Sequence, residues 1–209
     1  VLGGSSSISG HLYVRGQSMD FDHWAELGNQ GWSYKEVPPY FIKSEDRSTG
    51  KDSYHGVGGP QHVSDVLERH PLCDLFVQGA QDLGVRVNPD YNGESQEGVS
   101  YYQRTILNGR RHSAATAFLD PIRNRANLRI ITGALVERLT FEGKQVKGVV
   151  FQKNQRTEEV RAGKEILLSA GSINSPKLLQ LSGVGNAEFL RNLGIEVIHD
   201  LKGVGGGFQ

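Results

Sequence analysis

The chain has 209 residues, 37% of them hydrophobic and 22% charged, and its 23 basic and 23 acidic side chains balance. It is therefore long enough to bury a core, and it carries no net field that would capture nucleic acid or an anionic membrane. A single cysteine, Cys73, excludes an intrachain disulfide and a cysteine metal cluster and fits a reducing, cytoplasmic setting, and no apolar run is long enough to span a bilayer.

In chain order, Asp20 to Leu27 predicts a short helix with Phe21, Trp24 and Leu27 on one face. Ser33 with Glu36 three residues on forms a capping box before a second helix, and Pro38 and Pro39 sit in its first turns or limit it. Residues 44–60 are polar and glycine-rich and read as a loop, with a short strand at Gln61 to Ser64. Pro71 to Leu83 is an amphipathic helix: Leu72, Leu75, Phe76, Ala80 and Leu83 recur at helical spacing and Gly84 supplies a stop. Val99 to Leu107 has strand composition, and Asn108-Gly109 is a hairpin signal. Ser113 to Arg123 predicts a helix broken or kinked near Pro121.

The pattern changes at Asn127. Leu128 to Thr132 reads as a short strand, followed by a meander over Ala134–Phe141, Val146–Lys153 and Thr157–Ala162. Glu165 to Ser169 reads as a buried strand, then come helices over Asn174–Leu181 and Ala187–Leu193 and a last strand over Ile195–Ile198. Strand–turn–helix units beside a meander imply a mixed α/β architecture.

Two stretches carry candidate chemistry. In Ile166 to Gly185 an apolar strand runs into the small residues Ser169-Ala170-Gly171-Ser172, and a helix starts at once; small residues admit close backbone approach, and first-turn N–H groups favour negative charge. An ordinary short βα turn has the same spacing. Gly3-Gly4-Ser5-Ser6-Ser7-Ile8-Ser9-Gly10 can form an anion-binding nest of successive N–H groups, or be only a turn. Neither stretch matches the Walker phosphate loop or Gly-x-Gly-x-x-Gly. The seven histidines form no metal-ligand spacing and read as surface or packing residues, and Arg104, Arg110 and Arg111 could face phosphate but read first as a solvated basic cluster.

Together these stretches resemble the glucose–methanol–choline (GMC) oxidoreductases. Val1-Leu2-Gly3-Gly4-Ser5-Ser6-Ser7-Ile8-Ser9-Gly10 through Tyr13-Val14-Arg15-Gly16 is similar to the later part of the family's first signature, and Gly171 to Gly185 to its second. Asp20-Phe21-Asp22-His23-Trp24, Gly31-Trp32-Ser33-Tyr34, Tyr54-His55-Gly56, Asn108-Gly109-Arg110-Arg111 and Asn127-Leu128 fall between them in the family's order.

The resemblance implies a partial FAD-binding Rossmann-like domain with part of a substrate-binding domain. Residues 1–43 would wrap FAD, 44–126 would belong to the substrate side, and 127–209 would return to the FAD domain. It implies FAD contacts at Val1, Gly3, Gly4, Ser9, Gly10, His11 and Leu12, at Val136 through its backbone toward adenine, and at Ala170 and Gly171 beside the adenosine half. Relatives usually carry Asn where Ser9 stands, and the flavin is expected to be held noncovalently. The implied reaction is oxidation of a primary alcohol or choline-like substrate, with the hydroxyl proton taken by a histidine and hydride passing to flavin N5. The family's glycine fingerprint is expected upstream of Val1 and its catalytic histidine downstream of Gln209, so no catalytic residue and no metal ligand is assigned in this chain. The electron acceptor stays open. Two alternatives stand beside this one: an FAD-containing hydroxynitrile lyase on the same fold, and a non-catalytic binding module.

Overall fold

A computed structural model describes residues 1–207, which fall into two compact units, Val1–Leu128 and a second that begins at Arg129.

The first unit opens with a 3-10 turn over Gly4–Ser7, followed by helices α1 (Ser18–Glu26) and α2 (Pro38–Ser44). In α1, the Gln17 N–H donates to Asp20 Oδ2 at 2.8 Å and the Asp20 N–H to the Gln17 carbonyl at 3.1 Å, which closes the first turn. Ser33 and Glu36 do bond as expected, backbone N–H and hydroxyl both to the carboxylate, but they close a turn ahead of α2. The helix itself begins at Pro38, where proline's missing N–H costs nothing. Phe21 anchors an aromatic cluster, with Trp24, Tyr34 and Phe41 at ring distances of 5.5, 6.3 and 5.8 Å.

The stretch 44–60, expected as loop, contains strand β1 (Glu45–Arg47), which pairs in parallel with β2 (Gln61–Val63). Its charged composition hides it: β1 is held by its side chains rather than by apolar burial. Glu45 is fully buried and accepts from Arg15 Nη2 at 3.0 Å, from His55 Nδ1 at 3.0 Å and from the Gly56 N–H at 2.9 Å. His55, also fully buried, reaches Asp90 through Nε2 at 3.0 Å, and Arg47 spans Asp52 and Asp90. Every carboxylate of this cluster meets a protein cation, the condition under which buried charge is tolerated. A side chain at Gly56 would drive into the Ile42 carbonyl, so glycine is needed where this knot crosses the end of α2.

Helix α3 (Pro71–Asp82) forms as its periodicity predicts, with His70 Nδ1 accepting from the Leu72 N–H at 3.2 Å. Its apolar face is open: Leu72, Leu75 and Phe76 are all exposed. The strand predicted over Val99–Leu107 shrinks to β3 (Ile106–Leu107), paired with β4 (Arg110–Arg111) around Asn108-Gly109. Both turn residues have positive φ, 51° and 70°, the primed geometry that matches strand twist. The helix predicted over Ser113–Arg123 is a π-helical segment, Ala115–Leu119, followed by a 3-10 turn at Asp120–Ile122 containing Pro121.

The second unit is built on a meander: β5 (Ala134–Glu142), β6 (Gln145–Lys153) and β7 (Arg156–Arg161), antiparallel in the order β5-β6-β7. Residues 128–132, expected as a strand, have no regular structure. Residues 165–169 keep strand alternation, Ile166 and Leu168 facing an apolar cavity while Leu167 is 82% exposed, yet no ladder partner meets them among the described residues. A strand is defined by its hydrogen-bonded neighbour, and apolar composition alone does not supply one.

Helix α4 (Gly171–Leu181) starts three residues before its expected position, carrying Pro176 in its interior. It is tied to β5 by Ser182, whose Oγ accepts from the Leu139 N–H at 2.8 Å and donates to the Leu178 carbonyl at 2.6 Å. Strand β8 (Val184–Gly185), helix α5 (Ala187–Asn192) and strand β9 (His199–Asp200) follow, β8 and β9 pairing in parallel. The last strand thus lies just beyond the expected Ile195–Ile198. Leu190 is fully buried at the centre of this corner, and α5 is capped by Asn186, whose Oδ1 accepts from the Phe189 N–H at 3.0 Å.

Candidate functional site

In the first unit the candidate residues Val1, Gly3, Gly4, Ser9, Gly10, His11 and Leu12 form one continuous turn. Gly3 and Gly4 both have positive φ, 84° and 56°. A Cβ at Gly3 would also collide with Ser7 Oγ and press on the Ala115 backbone, so this position requires glycine on two counts.

Several carbonyls of the turn are bonded within the protein. The Leu2 carbonyl accepts from Ser7 Oγ at 2.7 Å, and that of Gly3 from Ser6 Oγ. Ser6 Oγ in turn accepts from the Ala114 N–H at 2.9 Å. The Ser6 and Ser9 carbonyls accept from Arg111 Nη1 at 3.1 and 2.6 Å, and the His11 carbonyl from the Thr105 N–H at 2.8 Å. By contrast, among the described residues of this unit no acceptor takes the N–H of Gly10 or His11.

His11 holds a left-handed φ of 50°, unusual for a residue with a side chain, and its Nδ1 is buried without a partner. Burial, then the charges of Arg111 and Arg104, pull the His11 pKa below its ordinary value and favour the neutral ring. The result is a turn with several carbonyls bonded within the protein and the Gly10 and His11 N–H groups without a protein acceptor among the described residues, suited to an anion or to a ring edge bearing carbonyl and imine acceptors.

Arg111 was expected to belong to a solvated basic cluster; the structure corrects this. Successive residues of a strand point to opposite faces, so Arg110 is exposed while Arg111 is half-buried against the turn. The alternation of two arginines after an Asn-Gly turn is the signal that distinguishes them.

In the second unit Val136 and Ala170 line one cleft of about 570 Å³, with Leu135, Leu178 and Leu181 as apolar walls and Glu137, Asn174 and Lys177 as polar groups. Gly171 opens α4 with φ 88°, directly after Ala170, whose N–H donates to Ser175 Oγ at 3.0 Å. The β5–β6 register jumps from Val136↔Phe151 to Arg138↔Val150, so Glu137 is the extra residue of a β-bulge at the cleft. Such a bulge frees backbone groups from the ladder and re-aims them. Sequence reading marked Val136 but not the bulge, which has no composition signature.

Asp52, His55 and Asp90 bring three potential ligand atoms within 4.8 Å of one another. Both His55 nitrogens are engaged by Glu45 and Asp90, and Arg47 spans both aspartates. The cluster is a structural ion knot.

A family-wide sequence profile described as GMC oxidoreductase matches residues 1–208. The chain is 45% identical over all 209 residues to the oxygen-dependent choline dehydrogenase of Brucella anthropi, of which it spans 38%. Among solved structures, it is similar to pyridoxine 4-oxidase from Mesorbium loti (TM-score 0.88, 36% identity, 95% of this chain and 39% of that one). It is also similar to an FAD-dependent oxidoreductase from Chaetomium thermophilum (TM-score 0.92, 35% identity, 97% of this chain and 38% of that one).

Proposed function

The chain belongs to the GMC oxidoreductase family, and from that premise we propose that it is the FAD-holding portion of an enzyme that oxidises the CH–OH group of a primary alcohol or choline-like substrate. The observation that carries this proposal is 45% identity over all 209 residues to a choline dehydrogenase, of which the chain spans 38%, joined to a turn that leaves the Gly10 and His11 N–H groups without a protein acceptor among the described residues.

The residues present fit FAD. The amides of Gly10 and His11 supply donors for the flavin side, and the neutral His11 ring adds no positive charge there. Val1, Gly3, Gly4, Ser9 and Leu12 complete the turn. The Val136–Ala170 cleft has apolar walls for a planar ring, with polar groups at its margin and the Glu137 bulge offering backbone hydrogen bonds to adenine. Gly171, at the start of α4, presents first-turn N–H groups beside it. FAD, when bound, accepts the hydride that leaves the carbinol carbon. The chain's own residues bind and orient the cofactor.

Residues 1–43 are assigned to wrapping FAD, 44–126 to the substrate side and 127–209 to the FAD domain; the change of compact unit between Leu128 and Arg129 supports the last boundary. A lone, exposed Cys73 supports a cytoplasmic setting, and no helix among the described residues is long and apolar enough to cross a membrane.

The test is to purify the whole protein, record its visible spectrum, and add choline or primary alcohols without oxygen. The expected outcome is a yellow protein whose flavin band bleaches with at least one of them. A colourless protein that takes up no FAD, or a flavoprotein that bleaches with no alcohol but cleaves a cyanohydrin, would end this proposal.

A further inference from the structure

We propose that Arg111 is a positioning residue for the cofactor: it holds the Gly3–His11 turn by its carbonyls, so that the Gly10 and His11 amides are left for FAD. This inference rests on the assignment of that turn to FAD.

The geometry assigns Arg111 this role rather than direct contact. Its Nη1 donates to two carbonyls three residues apart, Ser6 and Ser9, and so staples the end of the 3-10 turn to β4. Charge-assisted bonds of this kind are among the stronger hydrogen bonds in a protein. Three further links bind the same surfaces: the Ala114 N–H to Ser6 Oγ, Ser6 Oγ to the Gly3 carbonyl, and the Thr105 N–H to the His11 carbonyl. Arg111 is the only one of these donors that carries charge, and the only one that holds two carbonyls at once.

Without it the Ser6 and Ser9 carbonyls lose their donor. The peptide between Ser9 and Gly10 is then free to rotate, and rotation that swings the Ser9 oxygen outward swings the Gly10 N–H inward, because the two belong to one planar unit. An acceptor would then face an acceptor. Arg111 therefore fixes the polarity of the cofactor surface without touching the cofactor.

A second consequence follows from both bonds leaving a single nitrogen. A lysine ammonium has three donors at one atom and can replace both bonds, whereas methionine keeps the bulk and replaces neither. Arg110, next along the strand and exposed, is a control with nearly the same sequence position.

The experiment uses the whole protein in four forms beside wild type: Arg111→Met, Arg111→Lys, Ser6→Ala and Arg110→Met. Apoprotein is titrated with FAD, thermal unfolding of each apo form is recorded, and kcat and KM are measured at saturating FAD. Loss of two charge-assisted bonds should weaken FAD binding about tenfold to a hundredfold in Arg111→Met. Its flavin band should shift as the amide donors are lost, and kcat at saturating FAD should fall with that shift. Arg111→Lys should recover most of the affinity and Arg110→Met should match wild type.

If Arg111→Met does not fold, Ser6→Ala, which breaks the neighbouring staple, should still weaken FAD binding severalfold and shift the flavin band. Wild-type affinity in Arg111→Met, or in a folded Ser6→Ala when Arg111→Met fails to fold, would overturn the inference, as would equal losses in the Arg110 and Arg111 variants. A flavin-replete wild type alongside a flavin-replete Arg111→Met sinks only the role of Arg111. A wild type that takes up no FAD sinks the assignment of the turn, and this inference with it.

Discussion

His112 shows how one side chain can make this unit sensitive to acid. Its Nδ1 accepts from the His62 N–H at 3.2 Å, a bond that requires an unprotonated nitrogen. Burial, then the nearby His62, lower the His112 pKa below 6.5, while Asp46 opposes the shift weakly. A histidine whose folded pKa is depressed stabilises the fold fully above its unfolded value and loses that contribution as pH falls through the folded one. Thermal stability of the first unit should therefore decline between about pH 7 and pH 5, before its carboxylates titrate. His112→Asn, which keeps an acceptor at the Nδ1 position, should flatten that decline; a slope equal to wild type would refute the assignment to His112.

The same scale governs the ion knot. His55 is fully buried between Glu45 and Asp90, so His55→Ala removes a hydrogen-bond partner of both carboxylates and leaves a cavity, and should cost about 3–5 kcal/mol in chemical denaturation. None of this was legible in the sequence. Arg15, Glu45, His55 and Asp90 are scattered over 76 positions of the chain, and no local pattern reports a pairing across such distances. The candidate turn was readable because its chemistry is local: glycines and serines in a row.

At the scale of elements, the turns read most directly. Asn108-Gly109 predicts its hairpin by composition, since both positions need positive φ. The β6–β7 turn has the same geometry without glycine: Asn154 and Gln155 hold φ of 49° and 62°. A left-handed residue with a side chain costs roughly 1–2 kcal/mol, partly offset by the greater freedom glycine has when unfolded. Gln155→Gly is therefore expected to raise stability by up to about 1 kcal/mol, read as a higher denaturant midpoint with an unchanged slope. A lower midpoint would show that the Gln155 side chain contributes a contact larger than the strain.

Strands were harder to read than turns, for a physical reason. Residues 45–47 are Glu-Asp-Arg and pair through buried charges, while 128–132 and 165–169 are apolar and have no paired neighbour among the described residues. Hydrophobicity reports which residues seek burial; it does not report which backbone stands alongside. The meander was legible because its strands are adjacent in sequence and carry their own turns.

For the molecule as a whole, the open face of α3 is the dominant liability. Leu75 is 65% and Phe76 73% exposed on a helix whose periodicity calls for a covered stripe. The chain spans 38% of the choline dehydrogenases it matches. Expressed alone, residues 1–209 should self-associate, and a double Leu75→Gln, Phe76→Gln variant should shift the light-scattering mass toward monomer without lowering the unfolding temperature. A monomeric wild-type chain at the same concentration would contradict this.

The bulge at Glu137 gives β5 one residue more than its partner needs. Excising that residue would bring Val136↔Phe151 and Arg138↔Val150 into uninterrupted succession and leave a more regular ribbon. A shortened β5 should then be the better sheet and, on the proposed FAD reading, the poorer host for a nucleobase: ladder regularity and a free backbone edge ask opposite things of this strand.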